Sequence, residues 1–268
     1  IYHYSYTHNK FKNYIELDKS KDLFEDPEYI NKFTRLDRKL RKCGENNKKC
    51  METYRNSVIP FSKLEKKMLS WMVKDLESML GGKFREIFQD IKFIKVKNEI
   101  ENSMPHTRKG CIVYSERYFV SLIQKFQKNP NFLLDDISAV RLIAHEQFHV
   151  YQKKYPEKIE NFYQKHWKLE KMLEDLPKEL KEINRANPDA LPDNNWLFKL
   201  DNHKFLLPLC VYNSPQSSNI NDTSNIYILV EKNKNKLQYP KLEEQIKNKK
   251  LLSSHSQFTK FFGYQGAN

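Results

Sequence analysis

Glycine is scarce in this chain: six residues in 268. They are Gly44, Gly81, Gly82, Gly110, Gly263 and Gly266, and no G-x-G-x-x-G, G-x-x-x-x-G-K or G-x-S-x-G can be drawn through them. Dinucleotide, P-loop and nucleophile-elbow chemistries therefore lack their backbone loops. Cysteine is scarce too. Cys43, Cys50, Cys111 and Cys210 make no C-x-x-C. The first two are spaced to close a small disulfide loop, but the others stand alone in apolar stretches. Such sparse use points to a reducing, intracellular compartment. Long apolar runs are missing: the longest, Phe205 to Tyr212, contains Pro208 and falls far short of the roughly 20 residues of a membrane span. No secretory segment opens the chain at Ile1-Tyr2-His3-Tyr4, and Gln265 to Asn268 end it abruptly, the pattern of a trimmed chain.

Arginine is the fourth shortage. The net charge is +13, but only 9 of the 47 basic residues are Arg. Arg, not Lys, reads phosphates and base edges bidentately. The charge is spread along the chain without a binding motif, so nucleic acid is disfavoured as a partner and a solvated Lys-rich surface is favoured. What is present is a core: 39% hydrophobic and 13% aromatic residues are enough for a folded chain.

Residues 1–60 are polar and weakly periodic and read as an irregular N-terminal arm with one or two short helices. Asp37 to Lys49 is densely charged, the pattern of an exposed stretch. No internal repeat appears. A second region, 61–268, follows. Ser62 and Glu65 form an S-x-x-E capping box. Leu64, Met68, Trp71, Met72, Leu76 and Met79 then fall at helical spacing until Gly81-Gly82. Phe93–Val96 and Cys111–Tyr114 read as strands, paired as a hairpin or as neighbours. Ser115 caps a helix that Asn129-Pro130 stops. Asp135 or Asp136 caps the next, which runs to Tyr155. A long helical region from Lys158 to Asn184, interrupted at Pro177, precedes strands at Trp196–Leu200, Phe205–Tyr212 and Asn225–Val230. The order predicts an α+β fold without regular βαβ alternation.

One segment carries chemistry: Leu142-Ile143-Ala144-His145-Glu146-Gln147-Phe148-His149 contains H-E-x-x-H. On a helix, residues four apart share a face, so His145 and His149 can offer two imidazoles to one ion. Zn²⁺ takes such nitrogens at about 2.0–2.1 Å. It acidifies a water whose proton Glu146 is placed to accept. From Leu142 to Gln152 the only charged residue is Glu146, which suits a buried helix.

The segment, with the strand–loop–strand before it, resembles the HExxH zincin metallopeptidases. The resemblance implies a zincin-like domain in which an active-site helix packs beside a small mixed sheet. It implies Zn²⁺ as cofactor, His145 and His149 as ligands, and Glu146 as general base and acid. The activity implied is hydrolysis of peptide bonds in a peptide or protein substrate by metal-activated water. The metzincin extension is absent, because Gln152 and Tyr155 stand where Gly and His are needed. The comparison that remains is with glutamate-type zincins, whose third ligand is a Glu on a later helix. Glu170, 21 residues past His149, is a candidate on the expected helix, and Glu174 lies one turn beyond; no N-E-x-x-x-D accompanies them, and both also read as solvent-facing carboxylates. Asp189 in Asn187-Pro188-Asp189 more simply serves a turn. A ligand beyond Asn268, after a segment like Phe261 to Asn268, is preferred to Glu170. The zincin-like domain is then incomplete at its C-terminus. His106, in Pro105-His106-Thr107-Arg108, lies where zincins often run an edge strand along the substrate groove, and is a substrate-binding candidate beside its plainer reading as an exposed loop residue. The alternative function is a catalytically inactive zincin-like structural or interaction protein within a larger assembly.

Overall fold

The computed structural model describes residues 26–44, 46–80, 84–88, 90–129, 138–190, 195–234 and 236–257. Among the described residues three short helices come first: α1 (Pro27–Asn31), α2 (Arg35–Leu40) and α3 (Asn47–Arg55). They are followed by α4 (Lys63–Leu80), α5 (Arg85–Phe88), β1 (Phe93–Val96), β2 (His106–Arg108), β3 (Cys111–Ser115), α6 (Glu116–Lys128) and α7 (Ser138–Lys154). Then come α8 (Pro156–His166), β4 (Leu169–Lys171), α9 (Lys178–Ile183), β5 (Trp196–Lys199), β6 (Lys204–Tyr212), β7 (Thr223–Asn233), β8 (Lys236–Gln238) and α10 (Leu242–Asn248). The fold is α+β, as the order of elements predicts. The chain divides into two units. Among the described residues, one takes 54–151 and the other 26–53 and 152–257. The stretch expected as an N-terminal arm thus contributes residues to both.

The first unit is helical around a three-stranded sheet of order β1-β3-β2. β1 and β3 run parallel, Phe93 opposite Ile112. β2 runs antiparallel to β3 on the sheet's edge, with Arg108 opposite Cys111. The two residues between them, Lys109 and Gly110, both have positive φ, 39° and 80°, which is the two-residue turn that matches strand twist and favours glycine in its second place. The expected strand pair is therefore a parallel pair of neighbours, and the hairpin belongs to β2, a three-residue strand too short to show a period. The capping box at α4 forms: the Ser62 N–H donates to Glu65 Oε2 at 2.6 Å and the Glu65 N–H to Ser62 Oγ at 3.2 Å. Met68, Met72 and Leu76 of α4, Phe119, Leu122 and Phe126 of α6, and Val140, Ile143 and Val150 of α7 close one core over Phe93, Ile112 and Tyr114. Met79 of the α4 stripe is half exposed, and Gly81 and Gly82 lie outside the described residues.

The second unit is built on a five-stranded antiparallel sheet, β4-β5-β6-β7-β8. One face of the sheet, with Phe205, Leu207, Leu209 and Val211 of β6 and Ile226, Ile228 and Val230 of β7, packs on Met172, Leu176 and Leu180. Two expectations fail here. The long helix over Lys158–Asn184 is three elements, α8, β4 and α9. Lys168 has φ of 55° and breaks the helix, and Leu169–Lys171 pair with Trp196–Phe198. Asp37 and Arg41, in the stretch expected to be exposed, are buried and ion-paired. Asp37 is shared by Thr34, Arg41, Tyr212 and the Ala186 N–H. Burial, reinforced by the Asp37 charge, pushes the Tyr212 hydroxyl's pKa far up. Cys43 and Cys50 are disulfide-bonded. Disulfides persist in oxidising compartments, so this pair argues against the expected reducing one. No helix among the described residues is long and apolar enough to cross a membrane.

Candidate metal centre

Helix α7 carries the H-E-x-x-H segment, all of it within the first unit. Its period sorts the side chains. Ile143, Glu146, Gln147 and Val150 are buried, His145 and Phe148 are exposed, and His149 is half-buried. The helix is thus a half-buried one whose histidines reach the surface. Apolar contacts of Ile143 and Val150 hold it to the sheet, and the Gln147 side chain donates to the Ile87 carbonyl at 3.0 Å.

The two imidazoles meet edge to face, ring centroids 4.6 Å apart, with Nε2 of His145 and Nε2 of His149 at 3.1 Å. Two nitrogens each about 2.0–2.1 Å from a tetrahedral ion stand about 3.3 Å apart. The observed pair is within a few tenths of an ångström of that spacing. Donor type and separation both fit half of a zinc site. Without an ion, one ring must donate to the other.

Glu146 is 3% exposed and lies near enough to Tyr114 for its charge to act on that hydroxyl. Burial raises the Tyr114 hydroxyl's pKa well above its ordinary value, and the neighbouring Tyr118 and the Glu146 carboxylate push it the same way. These two tyrosines stack at 4.2 Å. Sequence reasoning read Tyr114 only as a strand residue. Its contact with the motif depends on β3 and α7 packing together, which no local pattern records.

The other candidates fall elsewhere. Glu170 is on strand β4, not on a helix, opposite Leu197, and its Oε2 accepts from Lys232 Nζ at 2.8 Å. Glu174 accepts from the Leu237 N–H. The Asp189 N–H donates to Asn187 Oδ1 at 3.0 Å, the turn expected there. Phe261–Asn268 lie outside the described residues. No group of three His, Cys, Asp or Glu that could hold a metal gathers among the described residues. His106 is not an exposed loop residue: it is 1% exposed on the edge strand β2, with Nδ1 3.0 Å from the Met104 carbonyl oxygen. That strand is fixed by a left-handed turn in which Glu101, Asn102 and Ser103 have positive φ. Tyr54 donates to Glu101 Oε1 at 2.6 Å, and Arg108 pairs with the same carboxylate at 3.6 Å. Comparison with family models, with curated proteins and with solved structures gave no match.

Proposed function

We propose that the chain is a zincin-like zinc metallopeptidase, with His145 and His149 holding Zn²⁺ and Glu146 serving as general base and acid toward a peptide substrate. The observation that carries the reading is the 3.1 Å separation of the two Nε2 atoms on the solvent side of α7, on a helix packed beside a mixed sheet with an antiparallel edge strand. A zinc ion there supplies a Lewis acid and acidifies water. The protein supplies the rest. The sheet and Gln147 fix the helix, α7 sets the two imidazoles one turn apart, and Glu146, next in sequence to the first, carries the carboxylate. No third ligand gathers with the two histidines among the described residues.

The burial of Glu146, whose charge acts on the buried Tyr114, favours a second reading, in which the carboxylate is structural and the domain is an inactive zincin-like member of an assembly. One experiment separates the two. Zinc content and peptide hydrolysis are measured for the chain and for Glu146→Gln and His145→Ala/His149→Ala. An active peptidase loses about 10²–10⁴-fold in hydrolysis with Glu146→Gln while keeping its zinc, and loses the metal with the double variant. Hydrolysis that Glu146→Gln leaves unchanged, or zinc retained without both histidines, overturns the proposal.

A further inference from the structure

We infer that the second unit holds a carboxylate-binding site at Arg185, unrelated to the histidine pair. Arg185 is 8% exposed. Its Nε and Nη2 are buried and meet no acceptor among the described residues. These two nitrogens form one edge of the guanidinium, the edge that donates two parallel hydrogen bonds to the two oxygens of a carboxylate. A buried cation without a counter-charge is costly, so an edge left open in this way calls for an anion.

The surroundings are built rather than incidental. The Arg185 N–H donates to the Cys210 carbonyl at 2.8 Å, and Asn184 bridges Val211. The next residue is clamped on both sides: the Ala186 N–H donates to Asp37 Oδ2 at 3.3 Å, and its carbonyl accepts from Arg41 Nη2 at 2.9 Å. The backbone that presents Arg185 is therefore fixed. Asp37 is not available to neutralise it. Its two oxygens already accept from Thr34, Ala186, Arg41 and Tyr212, and its charge is balanced by Arg41. Among the described residues the uncompensated charge is single, which matches a carboxylate better than the nearly doubly charged phosphate group.

A second donor shares this face. β5 runs along the same edge of β6, with Phe198 opposite Leu206 and Lys199 opposite Phe205. Continuing that register puts Trp196 level with Pro208 and Arg185 level with Cys210, two residues apart. Residues two apart on a strand share a face. It is the face opposite the core residues Leu207, Leu209 and Val211. Trp196 Nε1 is also buried and without an acceptor among the described residues, and its ring is held edge to face by Tyr163 at 5.2 Å. A guanidinium edge and an indole N–H on one face of the sheet, two register positions apart, are two donors suited to a planar anion.

The test is thermal unfolding of the whole chain in sodium acetate against sodium chloride at equal ionic strength. Parallel arms use inorganic phosphate, acetyl-Ala-Ala with a free C-terminal carboxylate, and its amide. At ten times Kd, acetate is expected to raise Tm by about 3–5 °C. Arg185→Met is expected to abolish the rise while its Tm in chloride stays level or climbs, since it removes a buried unpaired charge. Arg185→Lys, which keeps the charge but not the fork, is expected to bind acetate roughly tenfold more weakly. A larger effect of acetyl-Ala-Ala than of acetate, lost in the amide, assigns the site to peptide C-termini; equal effects assign it to small carboxylates. The inference is overturned by no acetate response, by an equal response in Arg185→Met, by phosphate stabilising more than acetate, or by an Arg185→Met that is less stable in chloride.

Discussion

The two units solve the same problem, burying charged groups, over very different reaches of chain. In the first, Glu65 caps α4 with one oxygen and takes Lys95 on the other at 2.7 Å, 30 residues away. The Tyr54–Glu101 bond spans 47 residues. In the second, Arg41 reaches Ala186 across 145 residues and Tyr212 reaches Asp37 across 175. The first unit is one continuous stretch among its described residues, and the second is two pieces. The polar pairs of the first unit therefore lie closer to local pattern than those of the second.

The largest effect is expected from Asp37→Ala, which leaves the buried Arg41 without its partner. Breaking such a pair costs about 3–5 kcal/mol, read as a lowered urea midpoint. Hydrogen exchange should quicken more in β6 than in β3; equal quickening in both would break the distinction between the two polar clusters. Ile143→Ala, in the core of the first unit, is expected to cost about 2–4 kcal/mol by leaving a cavity, with exchange rising in β1 and β3 before β6. Replacing Cys43 and Cys50 by Ser removes a crosslink over a short loop, worth about 2–3 kcal/mol by chain entropy. An unchanged urea midpoint would show that α2 and α3 hold together without it. Ser62→Ala removes one half of a cap and is expected to cost about 1 kcal/mol, the smallest change and the most local.

How much was legible follows the length and pattern of each element rather than the unit it belongs to. The α4 cap and stripe, β1, β3, α6, the motif helix and, in the second unit, β5, β6 and β7 lie near their expected places because each has a period, a cap or an apolar run within its own residues. β2 and β4 have three residues each, and a three-residue strand has no period to read. Asp37 and Arg41 sit in a run of charges, and charge density alone reads as surface. Their near neighbours Thr34, Tyr29 and Phe33 and, far along the chain, Tyr212 and Ala186 enclose them. His106 read as a loop histidine beside Pro105, yet the Glu101–Arg108 pair and Tyr54 bury its strand. At the candidate site, the sequence offered the residue types and the one-turn spacing. The approach of the two Nε2 atoms, the burial of Glu146 and the β4 setting of Glu170 depend on packing.

The discontinuous second unit also has a history during synthesis. Asp37 leaves the ribosome 175 residues before Tyr212, a wait of roughly 9–35 s at about 5–20 residues per second. Through that interval the segment bearing α1 to α3 has none of the late partners that bury its charged pair. The Cys43–Cys50 bridge is the one covalent restraint it can acquire on its own. The nascent chain in this period is where an oxidant, a chaperone or a protease meets the protein at its least protected.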